Sequence, residues 1–221
     1  MAESTLLKSS IAKKVAMALS GLFLISFLSL HFFINLISVI DQDTFNEFSH
    51  FMGNNRLIQY VMQPVLIIGV VFHFVMGFVL ELKNRSARPI AYAKYNGAAN
   101  SSWASRNMII SGLVVLAFLG LHFYDFWIPE MIYKYVEVNP FVPTRYYPEL
   151  VHKFESPVRT AIYCVSFILL SLHLWHGFNS SFQSVGFNNK FSKSLHKLGY
   201  AFAIVVPFGF IFIALFHHFN H

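Results

Sequence analysis

Val15-Ala-Met-Ala-Leu-Ser-Gly-Leu-Phe-Leu-Ile-Ser-Phe-Leu-Ser-Leu-His-Phe-Phe-Ile-Asn-Leu-Ile-Ser-Val-Ile40 contains no Asp, Glu, Lys or Arg. A helix needs about 20 mainly apolar residues to cross the roughly 30 Å hydrocarbon core of a bilayer, and this stretch is long enough. It is too long for the apolar core of a signal peptide and lacks an obvious small-residue cleavage site, so it reads as a span. Four further stretches behave alike. Tyr60 to Leu80 is also free of charge, and Asn107 to about Tyr124 meets Asp125 only at its end. Thr160 to Phe182 holds only histidines, Tyr163 and Cys164 as ionisable groups. Leu198 to Phe216 is interrupted by Pro207 alone, which a membrane helix tolerates and which is expected to kink it. The spans are placed at about 15–40, 60–82, 107–128, 157–182 and 197–218. The predicted fold is all-α, a single membrane domain over residues 1–221 built as a bundle of five transmembrane helices.

Composition agrees. Apolar residues make up 56% of the 221 and charged residues 12%, about half the charged share of a soluble domain. The one cysteine, Cys164, excludes an intrachain disulfide, a C-x-x-C-H haem attachment and a four-cysteine iron–sulfur site. Its simplest reading is a small core residue. No internal repeat or low-complexity tract stands out.

The net charge of +6 is organised by loop. Lys and Arg concentrate in cytoplasmic segments. With the amino terminus inside, the inner segments carry Lys8, Lys13, Lys14, Lys83, Arg85, Arg88, Lys94, Arg106, Lys190, Lys193 and Lys197. Arg56, Lys134, Arg145, Lys153 and Arg159 fall outside, and of the acids only Glu3 and Glu81 fall inside. The charge therefore describes topology, with a cytoplasmic amino terminus, and not nucleic-acid binding. The outer segments are long: Asp41–Gln59 is polar with several aromatics, and Pro129–Ser156, with Pro140, Pro143 and Pro148, is expected to fold over the surface in short pieces.

Five of eleven histidines lie well inside or near the middle of spans: His31, His73, His122, His173 and His176. An ionisable side chain inside a membrane points to function, although a neutral histidine can simply hydrogen-bond a neighbouring helix. Depth makes the difference. At 1.5 Å per residue, His31 and His122 lie roughly 24 and 23 Å from the inner ends of their spans, and His73 and His173 roughly 11 and 14 Å. Two matched pairs result, an outer and an inner one. A six-coordinate b-type haem takes one neutral imidazole on each face, and helices in a bundle can clamp the ring between them. Gly69 and Gly77 flank His73 at four residues, and Gly177 follows His173 at four. They either make room for a flat macrocycle or serve close helix packing. His176 competes with His173 but lies nearer the interface, where a propionate contact or a hydrogen-bond donor suits it. His217, His218 and His221 form an outer tail that is either solvated or a weak metal site.

One histidine in each of the first four spans, together with His173-Leu-Trp-His-Gly-Phe-Asn-Ser-Ser-Phe-Gln-Ser-Val-Gly186, resembles the two-haem cytochrome b membrane anchor of bacterial succinate:quinone oxidoreductases, the single-subunit five-helix type. The resemblance spans essentially the whole chain. It implies two haem b groups, the outer held by His31 and His122 and the inner by His73 and His173, in agreement with the depths. The family's spacing from ligand to following glycine selects His173 over His176. It also implies a flavoprotein and an iron–sulfur subunit on the cytoplasmic face of a bacterial inner membrane, with electrons passing through both haems to a quinone, menaquinone by family. Some fumarate-reducing members carry a glutamate two residues before the span-four ligand. Here Ser171 stands there, which favours succinate oxidation. Quinone reduction needs a proton source near the outer haem. Glu47, His50 and Asp125 lie on that side, Glu47 and His50 being the first to consider, against the alternative that they are solvated loop residues.

Two other readings compete. One is a b-type anchor of another respiratory oxidoreductase, such as a hydrogenase or nitrate reductase. The bc-type cytochromes put two ligands on one helix several turns apart, and no span here does so. The other is a histidine-using transporter, which would show repeats, broken helices and midplane acids.

Overall fold

A computed structural model describes residues 9–86, 106–187 and 189–220. Glu3, Lys8, Arg88, Lys94 and His221, used above for topology and for the tail, lie outside the described residues. The chain is helical, with no strand among the described residues. Helix α1 (Ser10–Ile37) starts at Ser9, whose Oγ accepts from the Ala12 N–H at 3.5 Å. It stops three residues short of Ile40. Ser38, Val39 and Ile40 tighten onto Asn35, Leu36 and Ile37, and Asp41 then caps α2 (Gln42–Asn54) by accepting from the Thr44 N–H at 2.8 Å. The polar segment after the first span is therefore largely one amphipathic helix.

Helix α3 (Ile58–Ser86) opens with a π-helical turn, Ile58–Met62, and α4 (Met108–Val136) carries one at Phe123–Trp127. Each lies just ahead of a proline, Pro64 or Pro129. A proline has no N–H for the carbonyl four residues back and presses its ring against that carbonyl. Widening the preceding turn lets the helix continue past it. The third long helix also extends past its apolar stretch. This helix runs on to Val136, through a short α segment Ile128–Met131 and a second π-helical turn Ile132–Val136. The outer segment expected in short pieces over residues 129–156 is thus a helix extension and α5 (Tyr146–Glu155). Helix α6 (Pro157–Ser184) begins with Ser156 accepting from the Arg159 N–H at 3.4 Å and with Pro157 in the first turn. Helix α7 (Ser192–Phe219) stays helical on both sides of Pro207.

Helices α1, α3, α4, α6 and α7 are each long and apolar enough to cross a bilayer, so the protein is a multi-pass membrane protein. Their packing is uneven. α6 lies most closely on α7; α1 touches α3, α6 and α7; α4 lies on α6 and touches α3 more lightly. α1, α3, α4 and α6 therefore form a ring, with α7 against α1 and α6. Between apolar helices in lipid, close packing and interhelical hydrogen bonds hold the assembly, and Ser171 Oγ donates to Ala203 O at 2.6 Å across the α6–α7 seam. The buried core joins Ile34 of α1, Phe167 of α6 and Phe210 and Ile213 of α7 with Phe45 of α2 and Phe154 of α5. By contrast, α3 from Gln63 and α4 as far as His122 contain no fully buried residue.

Candidate functional site

The four helices of the ring each contribute one of the paired histidines. In the upper layer, nearer α2 and α5, His31 of α1 faces His122 of α4 with ring centroids 5.7 Å apart and planes at 87°. In the lower layer, His73 of α3 faces His173 of α6 at 6.5 Å and 71°. The two depth-matched pairs expected from the sequence are thus side-by-side pairs in space. A metal–imidazole bond of about 2 Å on each side, plus about 1.2 Å from nitrogen to ring centre, separates the centroids of two axial imidazoles by about 6 Å. Both pairs stand near that separation. Among the described residues no group of three or more His, Cys, Asp or Glu is placed to hold a metal ion. The donor set is two pairs of imidazoles, which suits a metal that brings its other ligands with it, as a porphyrin does.

The upper pair is walled by aromatics. Phe27 stacks on His31 at 5.5 Å, and Phe210 lies 5.8 Å away; Phe118, Phe126 and Tyr163 surround His122 at 5.9, 5.1 and 6.4 Å. Asn35 Nδ2 donates to His31 O at 2.8 Å and lies 3.5 Å from Nε2. His122 Nδ1 is buried without a hydrogen-bond partner among the described residues.

One turn past His122, in the π-helical turn, Asp125 is 1% exposed. Tyr163 donates its hydroxyl to Asp125 Oδ2 at 2.9 Å, Arg159 Nε lies 3.3 Å from the same oxygen, and Oδ1 is buried without a partner. Of the three groups named for proton supply, Asp125 is the one inside the bundle. Glu47 is exposed on α2. His50 has both nitrogens engaged: Nε2 donates to Val142 O at 2.9 Å, and Nδ1 accepts from Asn54 Nδ2 at 3.2 Å. His176 stands half-buried on α6, one turn beyond His173.

Two of the three tail histidines are not in a solvated tail. His217 is 1% exposed, with Nε2 2.8 Å from Ser38 Oγ, and His218 Nδ1 donates to Phe154 O at 2.7 Å.

The glycines also sort themselves out. A Cβ on Gly69 would meet Phe23, on Gly77 Met17, and on Gly177 Met108. All three lie against side chains of the neighbouring helix and not against the imidazoles. The glycines beside the rings are Gly21, whose Cβ would lie 3.4 Å from His73 Cε1, and Gly112, whose Cβ would lie 3.5 Å from His173 Cε1.

Those two glycines expose a repeat. Residues 17–31 of α1 and 108–122 of α4 share Met-x-x-Ser-Gly-Leu-x-x-x-x-Phe-Leu-x-Leu-His, and α3 and α6 share His-x-x-x-Gly-Phe at His73 and His173. The contacts repeat with the letters. Met17 faces Gly77 as Met108 faces Gly177, and Phe27 lies on His31 as Phe118 lies on His122. The α1–α3 pair is thus matched by the α4–α6 pair, and the expectation of no internal repeat is corrected. The motif is spread thinly over apolar letters, which is why it hides in composition.

Comparisons of the chain with protein-family models, curated proteins and solved structures return no match.

Proposed function

We propose that the chain is the di-haem cytochrome b anchor of a succinate:quinone oxidoreductase in a bacterial inner membrane, with its amino terminus on the cytoplasmic side. His31 and His122 would hold the outer haem, and His73 and His173 the inner. The single observation that carries this reading is the double pairing: four helices, four histidines, two layers, each pair near the separation of axial imidazoles. The aromatic wall around His31 and His122 also supports it. Bound there, the haems would supply one-electron carriers between an iron–sulfur donor on the inner face and a quinone, menaquinone by resemblance.

The protein's own side chains have three tasks. The histidines present neutral imidazole nitrogens. The phenylalanines keep water from the upper pair. Asp125, with Tyr163 and Arg159, forms a buried polar group on the outer side that can hold a proton for quinone chemistry, with Glu47 and His50 nearer the surface. The basic residues flanking the inner ends of the spans, among them Lys83, Arg85, Lys190, Lys193 and Lys197, suit docking of the iron–sulfur subunit and its flavoprotein.

Affinity purification of the chain from its native membrane tests the reading. Recovery of a flavin-bearing and an iron–sulfur subunit, with succinate-dependent quinone reduction, is expected. A haem protein recovered with a different dehydrogenase would instead make it the anchor of another respiratory enzyme, and a colourless protein would remove the cytochrome reading altogether.

A further inference from the structure

The lower histidines are each met by a serine from the helix beside them. Ser20 Oγ lies 2.9 Å from His73 Nδ1, and Ser111 Oγ lies 3.3 Å from His173 Nδ1. Each hydroxyl is already committed as a donor within its own helix, Ser20 to Met17 O at 2.7 Å and Ser111 to Met108 O at 2.9 Å. A serine hydroxyl carries one hydrogen and two acceptor lone pairs. With that hydrogen spent on the carbonyl, the oxygen can meet Nδ1 only as an acceptor. In that arrangement Nδ1 bears the hydrogen of each ring, and in a neutral imidazole the lone pair then sits on Nε2. Gly21 and Gly112, next in sequence to the two serines, let the helix backbone approach each ring edge. The same Met-x-x-Ser-Gly segment thus does the same work twice, on α1 for His73 and on α4 for His173.

We infer that Ser20 and Ser111 are positioning residues that fix the tautomer and orientation of His73 and His173, so that both present Nε2 as the ligand atom to a metal centre between them. The inference rests on the haem reading above. A hydrogen bond accepted from the distal nitrogen of a ligand histidine raises its basicity and fixes its ring, and losing such a partner typically costs about 10- to 100-fold in metal affinity. The upper pair has no such serine: His122 Nδ1 is unpartnered, and the polar neighbour of His31 is the amide of Asn35. The two layers should therefore differ in how they respond to serine substitution.

The test uses the purified full-length chain and the Ser20→Ala, Ser111→Ala and double variants, with Ser20→Thr and Ser111→Thr as hydroxyl-retaining controls. Haem content is read as pyridine haemochrome, and each haem's midpoint potential by optical redox titration. His31→Ala and His73→Ala samples assign the two transitions. In the alanine variants the lower haem should shift to higher potential and be lost about 10-fold more readily, while the upper haem keeps its content and potential; threonine should restore the lower haem. An unchanged lower haem in the double alanine variant would overturn the serine role and leave the cytochrome reading standing. Equal loss of both haems would mean general destabilisation and also overturn it. A wild-type chain that holds no haem would overturn both.

Discussion

His73 on α3 and His173 on α6 face each other with ring centroids 6.5 Å apart, a hundred residues apart in sequence and each beside a Ser-Gly step of the neighbouring helix. Nothing in local helix chemistry brings two imidazoles together inside an apolar bundle. A polar ring there gives up hydration, and one without a strong partner costs free energy. The proposed haems would account for a site that repeats this twice, at two depths.

The space at the lower rings is kept by Gly21 and Gly112. An alanine Cβ would sit at ordinary contact distance from the ring at Gly112, 3.5 Å from His173 Cε1, but at Gly21 it also comes within 3.1 Å of Ser181 Oγ. Gly112→Ala should therefore be tolerated, and Gly21→Ala felt mildly. Gly21→Leu or Gly112→Leu would drive a side chain into the ring, so the lower haem should be lost and the upper retained. The absorption spectrum of each purified variant checks this, and retention of both haems in the leucine variants would contradict the assignment of these glycines to the site.

Tyr163 is 2% exposed, and its hydroxyl is one of two groups that meet Asp125 Oδ2. Tyr163→Phe removes a hydrogen bond to a buried carboxyl group and should cost about 1.5–3 kcal/mol, seen as a lower thermal midpoint in detergent. Asp125→Asn should slow succinate-dependent quinone reduction in the assembled complex while leaving transfer from succinate to a soluble dye unchanged. Equal rates of quinone reduction in Asp125→Asn and wild type would remove Asp125 from proton handling.

At the end of the bundle that carries α2 and α5, Arg145 is 9% exposed and ties α4 to α5. It pairs with Glu130, bonds Glu149 at 2.9 and 3.1 Å, and lies 4.1 Å over the rings of both Tyr133 and Tyr146. Arg145→Ala leaves Glu130 with Lys134 and Tyr146 and should destabilise the protein by about 3 kcal/mol. Lysine should recover only part, since it lacks the planar fork. Thermal melts in detergent decide, and a midpoint for Arg145→Ala equal to wild type would contradict the role given to this network.

The same network has a pH signature. Burial, and then the hydrogen bond that Tyr146 donates to Glu130, raise the Tyr146 phenol above its ordinary value of 10.0. A group raised on folding contributes stability that is complete below its unfolded value and is lost as pH rises through its folded one. Melting between pH 9 and 12 should therefore show a fall in the midpoint above about pH 10 that is smaller in Tyr146→Phe. Identical curves would contradict it.

The spans, the four histidines and their pairing by depth were legible because each depends only on apolar length and a fixed rise per residue. Facing directions were not. Spans rich in Leu, Phe and Val all round carry no stripe to tell inside from outside, so the sequence singles out Gly69, Gly77 and Gly177 by their spacing from the histidines and passes over Gly21 and Gly112, which lie against the imidazoles from the neighbouring helices. Ser20 and Ser111 were hidden because a serine in a membrane helix ordinarily bonds its own backbone, as both also do here. The Met-x-x-Ser-Gly-Leu repeat was the signal available to find them. The overrun of α4 past Pro129 was masked by the usual reading of proline as a helix end, which a π-helical turn circumvents. Asp125 closes the charge-free stretch in the sequence, and only the fold shows that Tyr163 and Arg159 come to meet it.

Haem content per chain, with its dependence on the five intramembrane histidines, tests the central claim most directly. The purified wild type should give two b haems by pyridine haemochrome. His31→Ala and His122→Ala should each lose the upper haem, His73→Ala and His173→Ala the lower, and His176→Ala should keep both. A wild-type chain purified gently from its native membrane without haem, or one that loses haem in His176→Ala but not in His173→Ala, would contradict the account.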